Sequence, residues 1–421
     1  ALEPRLGVAW KPFGRNNTVV RGGYAIFHDS SWNQGAQGLW QNPPYYAESF
    51  AFEPKLSQGF VTYSTPPTPQ TFEGTIWSQD LSFKQGRIQQ YNANIEQQLP
   101  GQIVVTAGYA GSRSSHILES GNNINVASPT ACGTVKGYTL GCGPGGAAFP
   151  IAYPDFPFST IASIFDNGRA HYNSLQIKAE TKSRHGIYAL IGYTYSRAKD
   201  TGFSDNLGSV IGATYFPLPN YQNLDWGLSQ INLNHNFTAS IIYTLPFGKG
   251  QRWGNNWSRG VDAILGGWET TVIEKATSGF PVFVIDSNNT SGVSFVNANG
   301  SALIRPNQTC NPTMFHQTLS EWFNVSCFSQ PAAGELGNAN RTPLSGPRFV
   351  NTDFSVVKHF TIREGMRLDL RTEFFNLFNH PQYGTPGGNG SGADFNTPTF
   401  AAINYTVNNP RLVQFAMKLA F

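Results

Sequence analysis

Charge is what this sequence has least of. Asp, Glu, Lys and Arg together make up 13% of its 421 residues, about half the share of an ordinary soluble domain. The net charge of +3 leaves no basic footprint, which excludes nucleic acid as a partner. Long apolar runs are missing too. Nothing approaches the roughly 18 consecutive apolar residues of a membrane-crossing helix. Cysteine is scarce, at four residues, and methionine at three. The opening ALEPRLGVAW has no initiator Met and no basic-then-apolar leader, so either processing or a longer parent chain is expected.

What is abundant points to strands and turns. Aromatics are 14%, with 44 Gly and 27 Pro, a mixture that disfavours a helical bundle. Along the chain the apolar residues recur at a period of two, which places successive side chains on opposite faces of a strand. In MRLDLRTEFF, Leu368, Leu370 and Phe374 oppose Arg367, Asp369, Arg371 and Glu373. INLNHNFTASIIYTLPF and FVNTDFSVVKHF alternate in the same way, as do QQYNANIEQQL, IVVTAGYAGS, YNSLQIKAET and GIYALIGYTYSR. With the weaker PRLGVAWKPF and TVVRGGYAIF, the irregular GGWETTVIEKATSGFPVFVI and the C-terminal segment, about eleven strands are expected. Several reach the roughly 9–11 residues that cross a bilayer with tilt.

Connection length alternates as well. KPFGRNN, LPGQ, KSRHG and TIREG are tight links, and GKGQRWGNNWSRG is moderate. Between them lie long links at about 30–85, 118–167, 201–230, 287–346 and 381–408. Short turns at one end and long loops at the other mark an antiparallel up-and-down transmembrane β-barrel of the outer membrane, all-β in class. The predicted placement puts the long links outside the cell and the C-terminus at the periplasmic rim. There Val413, Phe415, Met417, Leu419 and Phe421 share one face as a C-terminal barrel signature directed at lipid. Counting back from Phe421, eleven strands start outside, and since complete bacterial barrels have an even strand number, preceding sequence is expected.

All four cysteines fall in the long links, Cys132 with Cys142 and Cys310 with Cys327. Two local disulfides in an oxidising compartment are expected, with a zinc site as the alternative, although C-x-x-C is absent and the eight His are scattered.

Several segments, in order, carry a family resemblance. They are EPRLGVAWKPFGRNNTVVRGGYAIFHD, YNANIEQQLPGQIVVTAGYAGSRSSHI, FTASIIYTLPFGKGQRW, GGWETTVIEKATSGFPVFV, LRTEFFNLFNHPQYGTP and NPRLVQFAMKLAF. Across nearly the whole chain these resemble the C-terminal part of Oar-like TonB-dependent outer-membrane receptors, numerous in acidobacteria. The resemblance implies half of a roughly 22-stranded barrel with a plug in its lumen. It also implies uptake of a scarce extracellular ligand, energised through a TonB box by the inner-membrane TonB complex. Plug, TonB box, remaining strands and the regulatory domain of such receptors are not within these 421 residues. Outer-membrane lipid is the remaining expected partner.

No enzymatic, cofactor or metal role is expected. Arg367, Asp369, Arg371 and Glu373 read as a lumen-facing polar row, either touching a plug or polar substrate or forming a cross-strand ion-pair ladder. Asp353 and Asp369 invite comparison with a glycosidase carboxylate pair. GCGPGG at Gly141–Gly146 lacks the Lys-Ser/Thr ending of a phosphate loop. Trp32, Trp40, Tyr45, Tyr46, Trp77 and Trp322 sit in long links, suited either to ligand contact or to packing the loops together. The rival functions are a surface adhesin or glycan-binding protein without transport, and a secreted, soluble lectin or glycosidase.

Overall fold

The alternating segments become strands because each offers one apolar and one polar face with tight turns between them. The computed structural model describes residues 2–14, 17–29, 75–79, 81–123, 133–135, 138–140, 160–204, 210–211, 225–288, 305–332, 337–363, 365–387 and 393–421. Eleven strands form one antiparallel meander, each paired with its successor. They are β1 (Arg5–Trp10), β2 (Thr18–His28), β3 (Arg87–Leu99), β4 (Ile103–Asn123), β5 (Thr160–Arg184) and β6 (Ile187–Asp200). There follow β7 (His235–Thr244), β8 (Trp268–Thr277), β9 (Phe349–Arg363), β10 (Met366–Phe375) and β11 (Leu412–Ala420). Among the described residues β1 pairs only with β2, and β11 only with β10.

One end of the sheet carries the turns. The β5–β6 hairpin turns on His185 and Gly186, with φ of 53° and 80°, the double positive φ that matches the twist of the flanking strands. A side chain on Gly186 would put its Cβ 2.5 Å from the Thr244 carbonyl oxygen. The β7–β8 link adds a short helix α1 (Arg259–Leu265), whose N-cap Ser258 hydroxyl accepts from the Val261 N–H.

At the other end, β4 and β5 continue well past the expected strand limits, to 21 and 25 residues. The strand Thr75–Gln79 runs parallel to the start of β5, inside the region read as a long link. A tightly built cap also stands at this end. It is stitched by Pro281–Val282 with Leu344–Ser345, Val284–Ile285 with Ala393–Asp394, and Asn307–Gln308 with Phe328–Ser329.

Among the described residues the clustered hydrophobic core lies in this cap, and the sheet contributes only scattered buried side chains such as Ile26, Ala239 and Val357. Phe323, Phe328 and Phe400 meet edge to face, with ring centroids 4.9–5.7 Å apart, among buried Val282, Val284, Leu344 and Ala393.

The sheet instead leaves its apolar face open. Paired residues share a face, so the register traces rows across the wall. Ile103, Thr181, Ala189, Ile241, Val272, Phe354, Phe374 and Val413 follow one another on one face, strand by strand. Glu96, Thr106, Lys178, Gly192, Thr238, Lys275 and Asn351 do the same on the other. Phe415 and Met417 are 78% and 74% exposed on the apolar face. A continuous apolar surface of this extent requires a nonpolar surrounding, which is the arrangement of a membrane wall.

Candidate binding surface: the polar face and the cap above it

The polar face carries rows of paired charges. Arg21 Nη1 lies 3.0 Å from Glu96 Oε2, and Lys178 Nζ lies 3.2 Å from Glu180 Oε2. On β10, Arg367 Nε sits 2.8 Å from Asp369 Oδ1 and Arg371 Nη1 3.5 Å from Glu373 Oε1. The polar row therefore pairs mainly along its own strand rather than as a ladder across strands. The reason is register: Arg371 faces Val357 and Ala416, and Arg367 faces Thr361 and Ala420, none of which can neutralise a guanidinium. Among the described residues the row's one cross-strand ion-pair partner is His359, whose Nδ1 is 2.6 Å from Asp369 Oδ1. Such partly exposed pairs contribute about 0.2–1 kcal/mol each, so they keep the wall solvated and offer a polar solute many weak contacts.

The carboxylate-pair idea does not survive the register. Asp369 stands opposite His359, six residues along β9 from Asp353, roughly 20 Å at about 3.3 Å per residue. Glycoside hydrolysis needs roughly 5–9.5 Å. Asp353 is engaged instead by the Asn376 N–H at 2.9 Å. No group of three or more His, Cys, Asp or Glu able to hold a metal occurs among the described residues.

Two buried ion pairs fix the cap to the loop end of the wall. Asp200, the last residue of β6, points to the polar face and receives Arg341 Nη2, which also donates to the Asp200 and Leu228 carbonyls at 3.0 and 3.1 Å. Arg305 Nη2 donates to Asp225 Oδ1 at 3.0 Å, with both side chains almost fully buried. Next to the first pair, on the polar face, opens a cavity of about 420 Å³ lined by Ile88, Ser112, Ser114, Tyr172, Ala198 and Asp200. A volume of that order suits a small ligand, and a charged arginine latch stands at its edge.

Sequence reasoning missed these four charges because the partners are remote in the chain. Their one visible signal is that Arg305 and Arg341 are charges in a link poor in charge.

The other sequence candidates fall as follows. Cys310 and Cys327 are joined by a disulfide with Cα atoms 5.0 Å apart, inside the cap. Trp322 packs against the cap core, and its indole N–H donates to the Ser345 carbonyl at 2.9 Å. Trp77 lies on Thr75–Gln79, in register with Ala162 of β5. Trp32, Trp40, Tyr45, Tyr46, Cys132, Cys142 and Gly141–Gly146 lie outside the described residues. Val413, Phe415, Met417 and Leu419 share the apolar face of β11, in register with Phe374, Thr372, Leu370 and Leu368. Phe421, just beyond β11, is 97% exposed.

Known proteins give the architecture a context. The Escherichia coli outer membrane transporter YddB superposes with a TM-score of 0.51 at 10% identity, covering 100% of this chain and 40% of that one. The FrpB iron transporter of Neisseria meningitidis (F3-3 variant) matches at a TM-score of 0.43 and 11% identity, covering 99% and 39%. The chain thus spans about 40% of the length of these transporters. No curated protein matches it in sequence. Residues 1–414 match the outer membrane β-barrel domain. With its two-faced, eleven-strand meander, the chain belongs to the outer membrane β-barrel domain family.

Proposed function

We propose that the chain is a wall segment of a TonB-dependent, Oar-like uptake receptor. In this reading its polar face lines the lumen, its loops lie outside the cell, and its C-terminus lies at the periplasmic rim. The observation that carries the reading is the cap. A loop assembly with its own disulfide and core, latched to polar-face Asp200, stands where a solute would enter the lumen. An ungated pore has no need of it. The 420 Å³ cavity beside the latch is the first resting place for such a ligand, and the ion-paired wall below it is the surface a plug would seal. Partners in this reading are outer-membrane lipid, a plug and further strands, and the TonB complex reached through the plug-bearing part. The alternative, a surface adhesin or glycan binder without transport, uses the same cap as its display surface.

Reading the gene upstream of Ala1 separates the two. A continuous frame encoding a plug, a TonB box and about eleven more strands is expected. A start codon and signal peptide directly before Ala1 would overturn the receptor reading in favour of the adhesin.

A further inference from the structure

The apolar face is not apolar to its top. Over β3 to β6 the register stacks rows of increasing polarity toward the loop end. Leu99 and Ile103 begin the panel at the turn end, followed by Ile95, Ala107, Ile177 and Tyr193. Tyr109, Leu175 and Tyr195 then form an aromatic row, with Tyr91 stacked on Tyr109 at 6.1 Å between centroids. Above that row the face turns cationic. Arg197 stands beside Asn173, Arg113 and Lys199 flank His171, and Arg87 and Arg169 flank Ser115. Arg87, Arg113, Arg169 and Arg197 are exposed. No acidic residue occupies these rows, and among the described residues no salt bridge involves Arg87, Arg113, Arg197 or Lys199. Trp226 anchors the patch, with Arg169 4.7 Å and Lys199 6.0 Å from its ring centroid.

Height matters as much as charge. From Ile103 to Arg113 is about ten residues, and strands rising about 3.3 Å per residue at about 40° tilt climb roughly 25 Å, the height of the lipid-facing band of such barrels. The cations therefore begin where hydrocarbon ends and headgroups start. Elsewhere on this face, the last outward positions of β8 and the facing ones of β9 are Glu274, Ala276, Thr352 and Val350, with no cation among them. The basic panel is local, not a general rim.

We infer that the outward rows of β3–β6 bind the phosphate groups of membrane lipid headgroups, the phosphorylated glycolipid of the outer leaflet in the orientation proposed above. The guanidiniums of Arg87, Arg113 and Arg197, in three successive rows, suit phosphate oxygens, which accept paired N–H bonds. The adjoining tyrosines and leucine seat the acyl chains below. This rests on the apolar face meeting lipid.

The test uses the chain extracted from outer membranes into detergent, exchanged against equal amounts of diphosphoryl lipid A and its dephosphorylated form, with bound lipid counted by native mass spectrometry. The diphosphoryl form is expected to be retained in preference by roughly tenfold or more. The double variant Arg113→Gln/Arg197→Gln should lose that preference, whereas Arg367→Gln/Arg371→Gln, on the opposite face, should keep it. A companion measurement needs no variant. Raising salt from about 0.1 M to about 1 M, which shortens the Debye length from roughly 10 to 3 Å, should weaken retention of the phosphorylated form alone. Equal retention of both lipids by the wild type, or a preference untouched by salt and by loss of Arg113 and Arg197, would overturn the inference. Failure of the facing assignment itself would appear separately, in the quenching pattern of β11 described below.

Discussion

Asp286 illustrates how single residues in this chain depart from ordinary behaviour. Its side chain is buried in the cap, where burial pushes the carboxyl above the usual carboxylate range, opposed by amide donors from Asn396, Asn288 and Gln330 and helped by the nearby Asp394 charge. Because the folded-state pKa is raised, the charged form weakens the fold at neutral pH, and that penalty disappears as pH falls through the raised value. Comparing wild type with Asp286→Asn, whose side chain does not titrate, should show the difference in cap stability drifting in favour of wild type on acidification. Thermal melts across pH check the drift; a constant difference would contradict it. On β11 the prediction is positional. Phe415→Arg places a guanidinium on the lipid face and should cost about 2–4 kcal/mol near mid-bilayer, while Lys418→Ala on the polar face should cost little. Denaturant unfolding in lipid vesicles would report equal losses if the faces were misassigned.

At the scale of elements, the cap and the wall obey different physics. The wall strands were legible because alternation is local: Arg367 to Glu373 reads as a strand from neighbouring residues alone, and its pairing with β11 then aligns Leu370 with Met417. The cap has no such period. Its strands are two residues long, and its decisive contact joins Arg341 to Asp200 across 141 positions, a separation no window of sequence can reveal. The FFNLFNH stretch lies within one of the segments that carry the family resemblance, and the alternation does not explain it. The structure supplies a reason, since Asn376 and Asn379 both adopt positive φ, near 52° and 51°, a region Asn tolerates better than most residues. Asn376 Nδ2 donates to the His380 and Asn409 carbonyls, and Asn379 Oδ1 accepts from the Arg411 N–H, which directs the chain into β11. Removing one partner of a buried pair leaves an uncompensated charge, so Arg341→Ala should loosen the cap by about 3–5 kcal/mol. Hydrogen exchange should speed up at Thr201, Ser229 and Thr342 and stay unchanged in β10 and β11. Equal protection of the cap in wild type and Arg341→Ala would show that the latch carries no stability.

For the whole molecule, everything depends on the sheet having two environments. Among the described residues the eleven strands bury no common core cluster of their own, and much of the apolar face stays exposed, as at Ile103, Leu175, Tyr195, Val413 and Phe415. Lipid on one face and a hydrated lumen on the other resolve this, with backbone groups satisfied from strand to strand as a membrane demands. The sequence showed the period; it could not show the rows, because a row is made by register across strands that are separated by links of very different length. The most direct measurement of the central claim is a cysteine scan of positions 412 to 420 carrying a fluorescent label, read against a lipid-soluble and a water-soluble quencher in bilayers. A period of two is predicted, with labels at 413, 415, 417 and 419 quenched from the lipid and those at 414, 416 and 418 from water. Quenching that fails to alternate, or that alternates in the opposite phase, would contradict the account of this chain as a membrane wall.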